Sequence, residues 1–163
     1  MSESFSNLIL RMTRTFDAAP ERVFAAWTNP DHFGQWFGPR AMNTIECALD
    51  ARVGGAWRLM AEGQNVPGRH AEAGTVRPTV SGKYLEVEPP KRLVFTWAWH
   101  EKDDFASPRG QESIVTVLFN AVGEKTEMIF TQAVLKDEQA LAAHRRGWTE
   151  SYDKLDQFFR RAA

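Results

Sequence analysis

His144, Trp148 and Tyr152 follow one another at intervals of four residues near the end of the chain, so a helix would stack them on one face. A histidine on such a stripe can hydrogen-bond a ligand or act as a general base. It can equally be satisfied by a backbone carbonyl or a water. Trp57, Trp97 and Trp99 lie in alternating segments whose apolar phase points to the same interior. Large aromatics with a polar N–H serve both in cores and around apolar ligands. Trp57, Trp97, Trp99, His144, Trp148 and Tyr152 are therefore the candidate ligand-binding residues, the aromatics as walls and His144 as polar anchor. Plain core packing accounts for the same aromatics, and the sequence leaves both readings open. Trp36 and Phe37, beside Gly38-Pro39, can form a lid or a small satellite core. Arg40, Arg58, Glu112 and Gln132 are polar candidates for a cavity wall, though Arg58 and Glu112 can instead pair on the outer sheet face.

Other chemistries find little footing. His32, His70, His100 and His144 show no HxxxH or HExxH spacing, and there is no CxxC, so no metal site is expected. His100-Glu101 with Asp103 and Asp104 reads as a charged loop. P-loop, GxGxxG and GxSxG patterns are missing, and no serine stands out as a nucleophile. No catalytic residue and no cofactor are expected. The single Cys47 sits in strand-like sequence and reads as a buried, inert thiol. A net charge of −1 gives no electrostatic case for nucleic acid or an anionic membrane. No apolar run approaches the ~20 residues of a membrane span. Met1 to Asn7 is polar, without the apolar core of a signal peptide, and the expected location is the cytoplasm.

The elements that must position these residues can be read in order. Asn7 to Phe16 alternates and predicts a strand. Pro20 and Glu21 suit the first turn of a helix carrying Val23, Phe24 and Trp27. Asn29-Pro30 stops it and caps a second short helix, which brings in Phe33, Trp36 and Phe37 and ends at Gly38-Pro39. Thr44 to Leu49 predicts a strand with Ile45, Cys47 and Leu49 on one face. Gly54-Gly55 signals a hairpin, followed by a strand over Ala56 to Ala61. Glu62 to Ala73 reads as a loop or hairpin tip. One strand is expected from Gly74 to Val87, bent near Gly82, before the turn at Pro89-Pro90. Leu93, Phe95, Trp97 and Trp99 form a dense aromatic strand face. Glu101 to Gly110 is an exposed loop, and Ser113 to Phe119 and Thr126 to Val134 are strands flanking a turn. Asp137 to Phe159 is the long helix, with Leu141, His144, Trp148, Tyr152, Leu155 and Phe159 on its apolar face. One α+β domain over residues 1–163 is the economical reading: about six antiparallel strands, curved, gripping a long C-terminal helix.

Four blocks carry a resemblance that spans nearly the whole chain. They are Arg14-Thr15-Phe16-Asp17-Ala18-Ala19-Pro20-Glu21-Arg22-Val23-Phe24-Ala25-Ala26-Trp27-Thr28, Gly54-Gly55-Ala56-Trp57-Arg58, Glu86-Val87-Glu88-Pro89-Pro90-Lys91-Arg92-Leu93-Val94-Phe95-Thr96-Trp97, and His144-Arg145-Arg146-Gly147-Trp148. Together they resemble the START-like helix-grip superfamily, and within it the group named after the C-terminal domain of the activator of the heat shock protein 90 ATPase. The resemblance implies a sheet of the seven-stranded class around the last helix, with a cavity between them. It implies non-catalytic binding of a small apolar or amphipathic ligand as the leading role. A module regulating a chaperone ATPase, with a chaperone or other protein as partner, comes second. The 163 residues leave no room beside this domain for the separate N-terminal domain of the eukaryotic activator. A cyclase- or hydrolase-type enzyme with His144 as general base is third. Monomer and homodimer are both compatible with the resemblance.

Overall fold

A computed structural model of the chain describes residues 8–64 and 74–161. β1 (Leu8–Phe16) is followed by α1 (Pro20–Thr28) and α2 (Pro30–Trp36). β2 (Met42–Leu49), β3 (Ala56–Gln64), β4 (Thr75–Val76), β5 (Thr79–Glu88), β6 (Arg92–Trp99), β7 (Ser113–Val122) and β8 (Lys125–Leu135) come next, and α3 (Glu138–Arg161) closes the chain. The strands join in the order β1-β8-β7-β6-β5-β3-β2, with β4 added on β3, and every pairing is antiparallel. This is the expected α+β helix-grip architecture. Asn7, expected to start the first strand, lies outside the described residues.

Local chemistry explains the helix boundaries. Pro20 occupies the start of α1, where its missing N–H costs nothing. Asn29 ends α1 and caps α2, its side chain accepting from the Asp31 N–H at 2.9 Å. Asp137 caps α3 through the Ala140 N–H at 2.8 Å, and Arg160 and Arg161 lie in its last turn, where cations suit the dipole. Trp148, Ser151, Tyr152, Leu155 and Phe159 of α3 are buried, as the helical stripe requires.

Three strand expectations need correction. Ile45 does not share a face with Cys47 and Leu49. The β2–β3 register shifts between Thr44 and Glu46, which makes Ile45 the extra residue of a bulge and leaves it 50% exposed. The single strand expected from Gly74 to Val87 is two strands, β4 and β5, separated at Arg77-Pro78; a proline lacks the N–H that would continue the ladder. Glu62 and Gly63 extend β3 rather than opening a loop. The remainder of that expected loop, residues 65–73, lies outside the described residues.

At Gly82, β5 passes close to β6 and β3. A Cβ there would stand 1.9 Å from the Thr96 carbonyl oxygen and 2.6 Å from Trp57 Nε1, which itself donates to that carbonyl at 2.9 Å. Backbone cannot yield as a side chain can. Gly82→Ala is expected to cost the upper part of the ~1–3 kcal/mol typical of overpacking. Urea unfolding of the variant checks this, and an unchanged midpoint would contradict the close approach.

Cys47 is half-buried in β2. Its thiol is pushed up to about 12, first by burial and then by the nearby Asp31 carboxylate, so it stays protonated and unreactive at neutral pH. No helix among the described residues is long and apolar enough to cross a membrane.

Candidate functional site

The space between sheet and helix is mostly filled. Trp27 sits at its centre, with ring centroids 4.9 Å from Trp36, 5.7 Å from Trp148 and 6.3 Å from Phe130. Tyr152 packs on Trp148 at 5.7 Å and is fully buried. Gln132, also fully buried, joins the sheet to the helix. Its Oε1 accepts from Trp148 Nε1 and its Nε2 donates to Ser113 Oγ, each at 2.9 Å. Gln132 is therefore a bridge in the core, and a satisfied one.

The packing stops short at one end. Where β6 finishes beneath the first half of α3, a cleft of about 550 Å³ remains. Trp97 and Trp99 form its floor, His144 and Trp148 one side, and Ala142, Ala143 and Gly147 leave the helix surface low beside them. Phe37, Gly38, Pro39 and Met42, from the connection between α2 and β2, close the opposite side, with Ala61 and Pro78. Gln139 and Arg146 stand among the lining residues on the helix.

That connection is tied to α3. Gly38 has a φ of 95°, a left-handed conformation that suits glycine, and its N–H donates to Ser151 Oγ at 2.9 Å. Ser151 in turn donates to the Gly147 carbonyl at 2.9 Å. Lys154 Nζ reaches the carbonyl oxygens of Gly38 at 3.2 Å and Phe37 at 3.4 Å. Burial lowers the Lys154 pKa, with the Glu150 charge opposing. The Arg40 N–H donates to Glu150 Oε1 at 3.0 Å. The cleft wall is thus held by bonds to two successive turns of the helix.

His144 has both nitrogens engaged. Nδ1 lies 2.8 Å from the Ala140 carbonyl, and Trp99 Nε1 donates to Nε2 at 3.2 Å. A carbonyl only accepts, so Nδ1 carries the proton and Nε2 keeps the lone pair that the indole needs. The ring is therefore neutral and orients Trp99; it holds no spare lone pair for a general base. Burial pushes its pKa below the ordinary 6.5, with the Ala140 bond opposing. The unfolded chain takes up this proton near pH 6.5, the folded chain only at lower pH. The stability from this group is complete above pH 6.5 and is lost as pH falls from there toward the lowered folded value. His144→Gln is expected to flatten this part of the curve, which denaturant unfolding at a series of pH values would reveal.

The six candidate residues thus divide. Trp97, Trp99, His144 and Trp148 meet at the cleft. Tyr152 lies one turn deeper in the packed core, and Trp57 lies behind Trp97 at 5.4 Å between centroids. Phe37 reaches the cleft, while Trp36 is fully buried and donates to the Ala26 carbonyl at 2.9 Å. Arg58 pairs with Glu46, Glu112 with Arg109, and Arg40 with Asp153, all away from the cleft. Sequence reasoning passed over Ala142, Ala143 and Gly147. Their signal was present: small residues beside inward aromatics cannot fill the space the helix spans. Three buried polar atoms of this aromatic cluster, Trp27 Nε1, Trp97 Nε1 and the Tyr152 hydroxyl, have no partner among the described residues. Trp97 is 2% exposed, and its Nε1 has no acceptor among the described residues. Nowhere among those residues do three His, Cys, Asp or Glu side chains converge as metal ligands.

A family model described as Activator of Hsp90 ATPase homolog 1-like protein matches residues 17–160. The chain belongs to this family. Among solved structures, the AHSA1 protein from Silicibacter pomeroyi is 31% identical, with a TM-score of 0.79 over 96% of this chain and 100% of that one. An uncharacterised Rhizobium leguminosarum protein is 26% identical, with a TM-score of 0.74 over 95% of each chain. A Rhodobacter sphaeroides protein shares the fold at 24% identity, with a TM-score of 0.75 over 98% of this chain and 95% of that one. No curated protein matches the chain. The AHSA1-like family and its fold agree with ligand binding or an activator-type role, and leave the choice to the site.

Proposed function

We propose that this AHSA1-like domain binds a small amphipathic molecule, without transforming it, in the cleft between β6 and the first half of α3. The observation that carries the reading is the cleft itself: Trp97, Trp99, His144 and Trp148 meet around space that the core side chains leave unfilled. The volume of about 550 Å³ falls within the range of small-molecule sites. Trp99 and Trp148 supply apolar walls, His144 fixes the Trp99 ring, and Arg146 suits a polar or anionic end of the ligand. The ligand class is an apolar or aromatic body with one polar or anionic end.

The test is native mass spectrometry of protein purified from its own cells, then thermal shift with medium-chain acyl and aromatic carbonyl compounds. Saturation at a hundredfold over Kd adds about 2.7 kcal/mol, a shift of several degrees. Binding should also change tryptophan fluorescence, since Trp97, Trp99 and Trp148 line the site. A panel that moves neither temperature nor fluorescence, with no co-purified mass, would overturn the reading.

A further inference from the structure

We propose a second site on the face of the sheet away from α3, where Ser81 and His100 form a nucleophilic dyad that takes up acyl groups from activated esters. Strand alternation sends Val80, Gly82 and Tyr84 inward and Ser81 and Lys83 outward. Arg58 is the direct cross-strand partner of Ser81. The segment after β6 folds back over this face: His100 pairs with Arg109 in an isolated bridge, and the Gly110 N–H returns to the Trp99 carbonyl at 2.7 Å. A groove of about 860 Å³ remains, with Ala48, Leu85 and Phe105 as its apolar wall. It shares no lining residue with the inner cleft.

The polarity of the cluster points to chemistry. His100 is 7% exposed, and its Nδ1 lies 2.9 Å from the Ser107 carbonyl. A carbonyl only accepts, so Nδ1 carries the proton and Nε2 presents a lone pair. Ser81 Oγ stands 2.8 Å from Nε2 and, with the ring in this neutral tautomer, donates its proton there. Arg109 Nε donates to the same Oγ at 3.0 Å, while its Nη2 holds the Ser81 carbonyl at 2.9 Å. Nucleophile, base and orienting acceptor are in sequence, and the Arg109 guanidinium on Oγ stabilises the serine oxygen as its proton leaves. Lys83, two residues along on the same face, has no carboxylate partner among the described residues and can meet the carbonyl oxygen of an ester.

The step balances with ester and water alone. Ser81 Oγ bonds to the ester carbonyl carbon as its proton passes to His100 Nε2. The bond to the alcohol oxygen breaks, and the leaving alcohol takes that proton. Water then attacks the acyl-serine, giving one proton to His100 and thence to Ser81 Oγ, and the carboxylic acid leaves.

The experiment treats the full chain with an alkyl fluorophosphonate and, separately, with p-nitrophenyl butyrate, followed by intact mass and peptide mapping. The expected result is a single lasting phosphonyl adduct on Ser81 and, with the ester, a butyryl adduct on Ser81 that water then removes, both absent from Ser81→Ala. In His100→Ala, labelling should slow by ~100-fold or more and be partly restored by added imidazole. Restoration separates a base from a residue that merely ties down the loop. An unlabelled Ser81 would overturn the proposal, as would His100→Ala labelling at the wild-type rate, or a loss that imidazole does not restore.

Discussion

Trp27→Ala should cost about 3–5 kcal/mol, the range for removing a fully packed large aromatic. The reason lies in how many elements meet on one ring. Trp27, from α1, has neighbours in α2 (Phe33, Trp36), β6 (Phe95), β8 (Phe130) and α3 (Trp148, Tyr152). These come from every layer, so none can collapse into the space without leaving another contact. A domain of this size holds only about 5–15 kcal/mol in total. The melting temperature should fall by roughly 6–20 °C. Trp27→Phe provides the contrast. The Trp27 Nε1 has no acceptor among the described residues, so the smaller ring removes an unsatisfied donor as it removes volume, and the two effects oppose. Trp27→Phe should therefore lose far less than Trp27→Ala. Equal losses would contradict this packing account.

The contrast between α3 and β2 shows what a sequence can disclose. The apolar stripe from Leu141 to Phe159 repeats over several turns, so a one-residue error cannot hide it, and the helix lies where that stripe places it. Asn29-Pro30 was equally legible, because its cap is made within three residues. Ile45 was not. A bulge exists only between two strands, and the sequence of one strand cannot announce it. Gly82 is a related case: the constraint comes from the Thr96 carbonyl and Trp57 indole, contributed by other strands.

The site follows the same logic. Strand phase put Trp97 and Trp99 on one face, and helix phase put His144 and Trp148 on another; both held because each phase is local. Depth along the helix is not local. Tyr152 shares the stripe with Trp148, yet lies where the core is filled. Ser81, His100 and Arg109 carry no spacing signature, since they converge only when the loop after β6 folds over β5.

Gly147→Leu should abolish ligand stabilisation at the cleft while making the protein itself more stable. The two effects normally run together, since residues that hold a ligand also hold the fold; here they separate. Gly147 sits inside α3 between His144 and Trp148, and a Cβ built on it meets nothing within 4 Å. The empty space is the cleft. Replacing glycine in a helix interior by leucine removes a backbone entropy penalty of about 0.5–1 kcal/mol. The leucine side chain then occupies the volume that the ligand's apolar body requires, between Trp97 and the helix. Loss of the space and of close packing should weaken binding by about 100-fold or more, since 1.4 kcal/mol is a factor of ten. Gly147→Ala separates the terms: it keeps the helix gain and fills far less of the cleft, so it should bind nearly as the parent does. The measurement is a melting curve for each variant with and without the best compound. A ligand shift of full size in Gly147→Leu would place the binding site elsewhere. A fall in the unliganded melting temperature would mean that the space beside Gly147 is needed by the fold itself.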